Sequence, residues 1–389
     1  NYLFVFARMC YTEKKSEKEK IMRFFAPSDV YLEKNSVQNH KDQLLSLGTR
    51  AFIVTGRHSS AANGSLADVV SLLEDASVSY HIFNEVEENP SVETVAKAAE
   101  IGKAFGADFV IGIGGGSPLD AAKAIALLIA NPEETSACLY EAKALEALPV
   151  AAIPTTCGTG SEVTPNAVLT QHDKQTKKSI SYKIYPKLAL VDGRYLAAAS
   201  HSLLVNTSID ALAHCIESHL HSKANLYNHM FSSYGLQLWG EILPLLSQSQ
   251  ETPEESILEK MMLASTVAGM AIAQTGTSLP HALSYEITYH YGVPHGKACG
   301  IFLAAYMKEY ARHQPDDVRQ ILSLLDFASL EAFRDFLQNL LGPVSITQAD
   351  LDTYCAHMME NASKLSTYPF VLEEEHIREI MTDSLQLRA

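Results

Sequence analysis

The chain is short of cationic side chains and of cysteine, and it has no long unbroken apolar run. Lysine and arginine number 30 against 45 aspartates and glutamates, a formal charge of −15 at pH 7. Tight binding to a nucleic-acid backbone rests on clustered Lys and Arg, so a nucleic-acid partner is not expected. Small nucleotides, held mainly by backbone amides, are still allowed. The six cysteines, at 10, 138, 157, 215, 299 and 355, form no C-x-x-C pair and are too few to frame 389 residues with disulfides. That pattern suits a reducing cytoplasm. No apolar stretch approaches the ~18–20 residues needed to cross a bilayer, so no membrane is expected. With 47% apolar and 19% charged residues the composition is that of a globular protein, not a disordered tail.

What is present divides the chain. At the start, Tyr2 to Ala7 is apolar but lacks the basic lead-in and cleavage site of a signal peptide. Residues 11–21 (YTEKKSEKEKI) are charge-rich and end before Met22. Residues 1–21 are therefore expected to be a non-native or disordered extension, with Met22 the natural start. From 22 to 195, apolar strand-like runs alternate with helix-like segments, the pattern of a parallel sheet covered by helices. Ala51–Thr55, Tyr80–Phe83, Asp108–Ile113, Pro149–Pro154 and Leu188–Val191 read as strands. Ser65–Leu73, Ser91–Phe105 and Leu119–Ala130 read as helices. From 196 to 389 the periodicity is helical throughout, with candidates at Leu203–His219, Tyr227–Leu246, Glu254–Ala273, 315–341 and 348–363. The fold class expected is α/β: an N-terminal Rossmann-like dinucleotide-binding domain followed by an all-helical metal-binding and substrate domain.

Two loops carry the nucleotide argument. Gly112-Ile-Gly114-Gly115-Gly116-Ser117-Pro118-Leu119-Asp120 joins a strand to a helix. Glycines let the backbone approach an anion, and the helix start offers free amides and a positive dipole to a pyrophosphate. The wording is neither G-x-G-x-x-G nor a P-loop. A second hydroxyl-rich turn, Pro154-Thr155-Thr156-Cys157-Gly158-Thr159-Gly160-Ser161-Glu162, follows another strand; two such loops on one sheet edge would enclose a dinucleotide. The first strand ends Thr55-Gly56-Arg57-His58-Ser59-Ser60, with no carboxylate to repel a 2′-phosphate and with Arg57, Ser59 and Ser60 able to bind one. NADP is the expected cofactor, with NAD the alternative.

A second cluster suits a cation. Asp210 and His214 are one helical turn apart on one face. His281 and His295 each follow a proline. One carboxylate with three imidazoles is a donor set for Fe²⁺ or Zn²⁺. On spacing alone, an Asp–His pair at this separation is more often a surface contact than two metal ligands, and proline before histidine is commonplace. His219, His221 and His290 read as surface or packing residues.

The ordered motifs GGGSPLDAAKAIA (Gly114–Ala126), PTTCGTGSEVT (Pro154–Thr164), DALAH (Asp210–His214), PHALS (Pro280–Ser284) and PHG (Pro294–Gly296) resemble those of the iron-dependent (group III) alcohol dehydrogenases over about residues 22–389. The resemblance implies an enzyme that moves a hydride between NAD(P) and a small primary alcohol, diol or aldehyde. It implies Asp210, His214, His281 and His295 as ligands to Fe²⁺, with Zn²⁺ possible. It implies Gly115, Gly116, Ser117 and Asp120 at the diphosphate, and Thr155, Thr156 and Thr159 in the second nucleotide loop. Lys178 becomes a basic cofactor contact, Asn166 and Val168 line the substrate pocket, and the assembly is a homodimer. Two departures stand out. Gly56 occupies the place of an aspartate in NAD-preferring members, and Tyr285 the place of a histidine associated with proton movement. A zinc-dependent glycerol dehydrogenase, a lyase resembling dehydroquinate synthase, and a non-catalytic nucleotide-sensing protein are the alternatives.

Overall fold

The structure, a computed structural model, describes residues 22–174 and 176–388; the extension expected at 1–21 lies outside them. Eight of the described strands precede the helical half. They are β1 (Asp29–Leu32), β2 (Arg50–Gly56), β3 (Ser79–Val86), β4 (Phe109–Gly114), β5 (Val150–Pro154), β6 (Val168–Gln171), β7 (Thr176–Ser179) and β8 (Leu188–Val191). Six form one sheet in the order β1-β8-β5-β4-β2-β3, every pairing parallel. Buried on both faces, β4 and β5 read as unbroken apolar runs.

The strand period of two sorts these side chains between two cores. Phe52, Val54 and Val110 pack with residues of α2 (Val92–Phe105) and α3 (Gly116–Ala130). Ala51, Ile53, Ile111, Ile113 and Ile153 pack on the other face with α1 (Ser65–Asp75). Because β2, β4, β5 and β8 run the same way, Gly56, Gly114, Pro154 and Val191 share one sheet edge. Edge strand β1, half-exposed over four residues, and the antiparallel hairpin β6–β7 were not foreseen. Each is too short to show a pattern.

The second half is built on α4 (His201–His219), α5 (Leu226–Gln248), α6 (Glu255–Thr275), α7 (Leu279–Tyr291) and α8 (His295–Ala311), which share a core centred on Trp239, Phe302 and Tyr306. Three expectations need correction. The half is not wholly helical, since β9 (Ser345–Thr347) and β10 (Gln386–Arg388) pair in parallel. The segment 315–341 is two helices, Pro315–Leu324 and Leu330–Leu341, divided where Asp326 takes φ of 61° and Ser329 caps the second helix by accepting from the Ala332 N–H. One helix, α6, does reach spanning length, with a mean hydropathy of 1.3; its apolar window is 61% buried, and it packs against α4 and α5. The 14-residue spacing of His281 and His295 suggests a helix carrying the first and a return turn carrying the second. Helix α7 is that helix, whereas His295 opens α8, which the sequence did not mark because tyrosines and charged residues break its apolar stripe. Gly292, at φ 63°, ends α7 and permits the sharp return to Pro294 and α8.

Candidate metal and nucleotide site

Three helices deliver the cation cluster. Ser200 caps α4, accepting from the Leu203 N–H, and the helix then presents Asp210 and His214 on one buried face. His281 lies in the first turn of α7, after Pro280, and His295 is the first residue of α8. The close return holds because Gly296 has no side chain: a Cβ there would stand 1.7 Å from the Asn206 carbonyl oxygen on α4.

Asp210 Oδ1 has three imidazole nitrogens around it: His281 Nε2 at 3.2 Å, His295 Nε2 at 3.7 Å and His214 Nε2 at 3.9 Å. The His214 and His281 rings stack at 4.6 Å. Asp210 Oδ1 and His281 Nε2 are buried and neither has a hydrogen-bond partner. An orphaned carboxylate oxygen facing an orphaned imidazole nitrogen is costly in a protein interior unless a cation sits between them. The four side chains therefore fit a divalent ion.

Their supports fix the tautomers. His281 Nδ1 donates to Glu217 Oε1 at 2.6 Å, and His214 Nδ1 donates to the Gly158 carbonyl at 3.2 Å. With its proton on Nδ1, neutral His214 keeps the Nε2 lone pair for a metal, and the Glu217 contact turns His281 Nε2 toward Asp210. Burial would lower His281, but Cys299, Glu217 and Asp210 raise it well above the ordinary value, so a cation must displace its Nε2 proton. Burial alone would raise the Asp210 carboxyl, yet His214, His281 and His295 hold it below the ordinary carboxylate value. Burial, with His281 alongside, lowers His214 to about 4, so its ring is neutral at pH 7. Burial would likewise raise Glu217, but His281 and the Ser278 amide lower it, so Glu217 stays a carboxylate.

Gly158 belongs to the second nucleotide loop, so the His214 contact joins the cluster to the nucleotide edge. There the two loops pack closely: a Cβ on Gly116 would lie 2.7 Å from Thr159 Cγ2, and one on Gly115 3.1 Å from Thr156 Oγ1. No side chain caps α3, which leaves its leading amides for an anion. Ser117 Oγ accepts from the Asn89 N–H at 3.0 Å. Asp120 braces the second loop, accepting from the Ser161 hydroxyl at 2.6 Å and the Val168 N–H at 2.8 Å. Lys123, fully buried, adds to that brace by donating to Ser161 Oγ at 2.7 Å and the Asn166 carbonyl at 2.8 Å. Thr155 is buried beneath the loop.

The remaining residues named from the sequence sit as follows. Alternation in β7 lays Lys178 over the Tyr140 ring at 5.7 Å and turns Lys177 to Oδ1 of Asn89, the residue whose N–H donates to Ser117, at 2.9 Å. Ser60 is buried with its Oγ accepting from Thr55, which leaves Arg57, His58 and Ser59 as the exposed groups after Gly56. The Asn166 amide oxygen is taken by the Lys183 ammonium. The Tyr285 ring lies parallel to that of His295 at 6.2 Å and is partly open to solvent. Among the other histidines, His219 and His221 are buried and His290 pairs with Glu286.

Sequence reasoning missed Glu217, Lys123, Lys177 and Cys299. Helical spacing held a signal for two of them: Glu217 is one turn beyond His214 on α4, and Cys299 one turn beyond His295 on α8. The Cys299 sulfur completes a group with Asp210, His281 and His295 whose ligand atoms all lie within 4.8 Å of one another.

A parallel sheet with a nucleotide-type edge, abutting helices that gather a carboxylate and imidazoles, defines a class of oxidoreductase. The profile of iron-containing alcohol dehydrogenases matches residues 27–193, and the C-terminal profile of the Fe-containing alcohol dehydrogenase family matches residues 204–385. The NADPH-dependent butanol dehydrogenase of Clostridium saccharobutylicum is 31% identical over 328 residues, 82% of this chain and 83% of that protein. An iron-containing alcohol dehydrogenase structure from Thermotoga maritima is 36% identical, with a TM-score of 0.85 covering 94% of this chain and 99% of that one. The bifunctional aldehyde-alcohol dehydrogenase AdhE of Escherichia coli (strain K12) is 29% identical over 307 residues; the chain spans 34% of its length. The chain belongs to the iron-containing alcohol dehydrogenase family. Its chemistry is alcohol and aldehyde oxidoreduction, in a family that uses iron and NAD(P).

Proposed function

We propose that the chain transfers a hydride between NADP and a small primary alcohol, diol or aldehyde at a single cation held by Asp210, His214, His281 and His295. The observation that carries this is one buried carboxylate oxygen ringed by three imidazole nitrogens, tied through Gly158 to the nucleotide edge. When bound, the cation supplies Lewis acidity to the substrate oxygen and the nicotinamide supplies or takes the hydride. Fe²⁺ is the proposed ion. Zn²⁺ is the competitor, since nitrogen-rich sites bind it more tightly.

The residues of the chain do the rest. Amides of Gly115, Gly116 and Ser117 and the dipole of α3 hold the diphosphate, with Thr155, Thr156 and Thr159 beside it and Asp120 and Lys123 fixing the loop. Lys177 neutralises phosphate charge. Arg57, with Gly56 leaving room, receives the 2′-phosphate of NADP; the NADPH-dependent relative supports that preference. Asn166 and Val168 border the substrate, and Tyr285, beside His295, passes the substrate's proton to solvent. A homodimer in the cytoplasm completes the proposal; the five buried free thiols among the described residues support the reducing compartment. The test is a screen of iron- and zinc-loaded protein with short alcohols, diols and aldehydes and both cofactors, read at 340 nm. Turnover with NADPH is expected; no turnover with any pair would overturn the assignment.

A further inference from the structure

Of the five described cysteines, four have packing roles. Cys138 and Cys215 lie in apolar cores, Cys355 packs against Met381 Sδ at 3.5 Å, and Cys157 contacts the Thr207 hydroxyl at 3.3 Å. Cys299 differs. Its sulfur is fully buried, and its polar neighbours are the two ring nitrogens of His295, at 3.8 and 4.0 Å. It lies one helical turn from His295 and so faces the same way. Asp210 Oδ1 and His281 Nε2, both buried and without hydrogen-bond partners, belong with it to the group held within 4.8 Å. Donors on one ion stand about 2.0–2.3 Å from it and so at most roughly 4.6 Å from one another, close to the span of this group, so a small closure of the side chains brings all four atoms to a common centre.

Resting on the metal site proposed above, we infer that Cys299 is a sulfur donor to the same cation, which makes this a nitrogen–oxygen–sulfur site. Coordination forms a metal–sulfur bond and releases the thiol proton to solvent. No change of oxidation state is involved. A thiolate is a soft donor, so its addition shifts selectivity toward Zn²⁺ relative to Fe²⁺ beyond what carboxylate and imidazole provide.

X-ray absorption at the zinc edge on full-length protein loaded with one equivalent of Zn²⁺ tests this without a substrate. A sulfur shell at about 2.3 Å is expected, with nitrogen and oxygen at about 2.0–2.2 Å. In Cys299→Ser the sulfur shell should vanish while zinc stays bound, and Zn²⁺/Fe²⁺ competition should move toward iron. Co²⁺-loaded protein should show a thiolate-to-cobalt charge-transfer band that the same substitution removes and Cys157→Ser does not. Bound zinc with nitrogen and oxygen neighbours only would overturn the inference and leave the proposed function standing. Failure to bind any zinc would overturn both.

Discussion

Replacing Glu217 tests whether the cluster is assembled as described. The carboxylate is fully buried and accepts from His281 Nδ1 at 2.6 Å, from the His281 N–H at 3.2 Å and from the Ser278 N–H. It thus orients one proposed ligand and satisfies the first amides of α7. In Glu217→Gln, one oxygen still receives the His281 proton, but the amide NH₂ then opposes the Ser278 N–H and the negative charge behind the imidazole is lost. Removal of such a supporting carboxylate weakens metal binding by roughly 10–100-fold, or about 1.4–2.7 kcal/mol. The amide left unpaired costs a further ~1–3 kcal/mol of fold stability. Affinity for Zn²⁺ is read by competition with a chromophoric chelator and stability by urea unfolding of the metal-free protein. The glutamine variant should lose affinity by about tenfold, and Glu217→Ala by more. Wild-type affinity in both variants would refute the claim that Glu217 holds His281 in its metal-binding tautomer.

Other outcomes follow from the same geometry. Gly296→Ala forces a Cβ to within 1.7 Å of the Asn206 carbonyl, so α4 and α8 must part; the expected result is a loss of ~3 kcal/mol or more and of stoichiometric metal, measured by unfolding and metal analysis. Arg57→Ala should raise KM for NADPH by roughly tenfold, the worth of one charge-assisted contact, and leave KM for NADH unchanged. Burial lowers His219 to about 3 and His221 to about 4. Their folded values lie below the ordinary 6.5, so the unfolded chain binds more protons in that window and stability falls as pH drops from 6.5 toward 3. At pH 5 each contributes a loss of about 2 kcal/mol. Urea unfolding at pH 7.5 and pH 5 checks it, and His219→Gln should flatten the slope.

The parallel sheet could be read from residues alone because β4 and β5 are apolar throughout and β2 is apolar from Ala51 to Val54, and a glycine turn marks where α3 begins. Hairpin β6–β7 could not, because Thr176–Ser179 is a charged tetrapeptide whose extended shape depends on its partner strand. The two nucleotide loops were visible as local wording. The cation cluster was visible only in part: Asp210 and His214 share a helix face and His281 and His295 each follow a proline, but it took the family resemblance to join all four in one set. Nothing local links those helices, since the approach of α8 to α4 depends on a missing side chain at Gly296. Glu217 and Cys299 sat at helical spacing from named residues, but burial was needed to tell a supporting carboxylate or a donor sulfur from a surface charge and a core thiol. Lys177 and Lys178 could not be told apart until the hairpin fixed which one faces Asn89.

The central claim is that one cation, held by Asp210 and three histidines, makes this chain a dehydrogenase. Chelator-stripped protein titrated anaerobically with Fe²⁺, with NADPH oxidation by a short aldehyde followed at 340 nm, tests it most directly. Activity should rise from near zero to a break at one equivalent per chain, and Asp210→Ala should neither bind iron nor turn over. Full turnover in stripped protein, or undiminished iron binding and activity in Asp210→Ala, would contradict it.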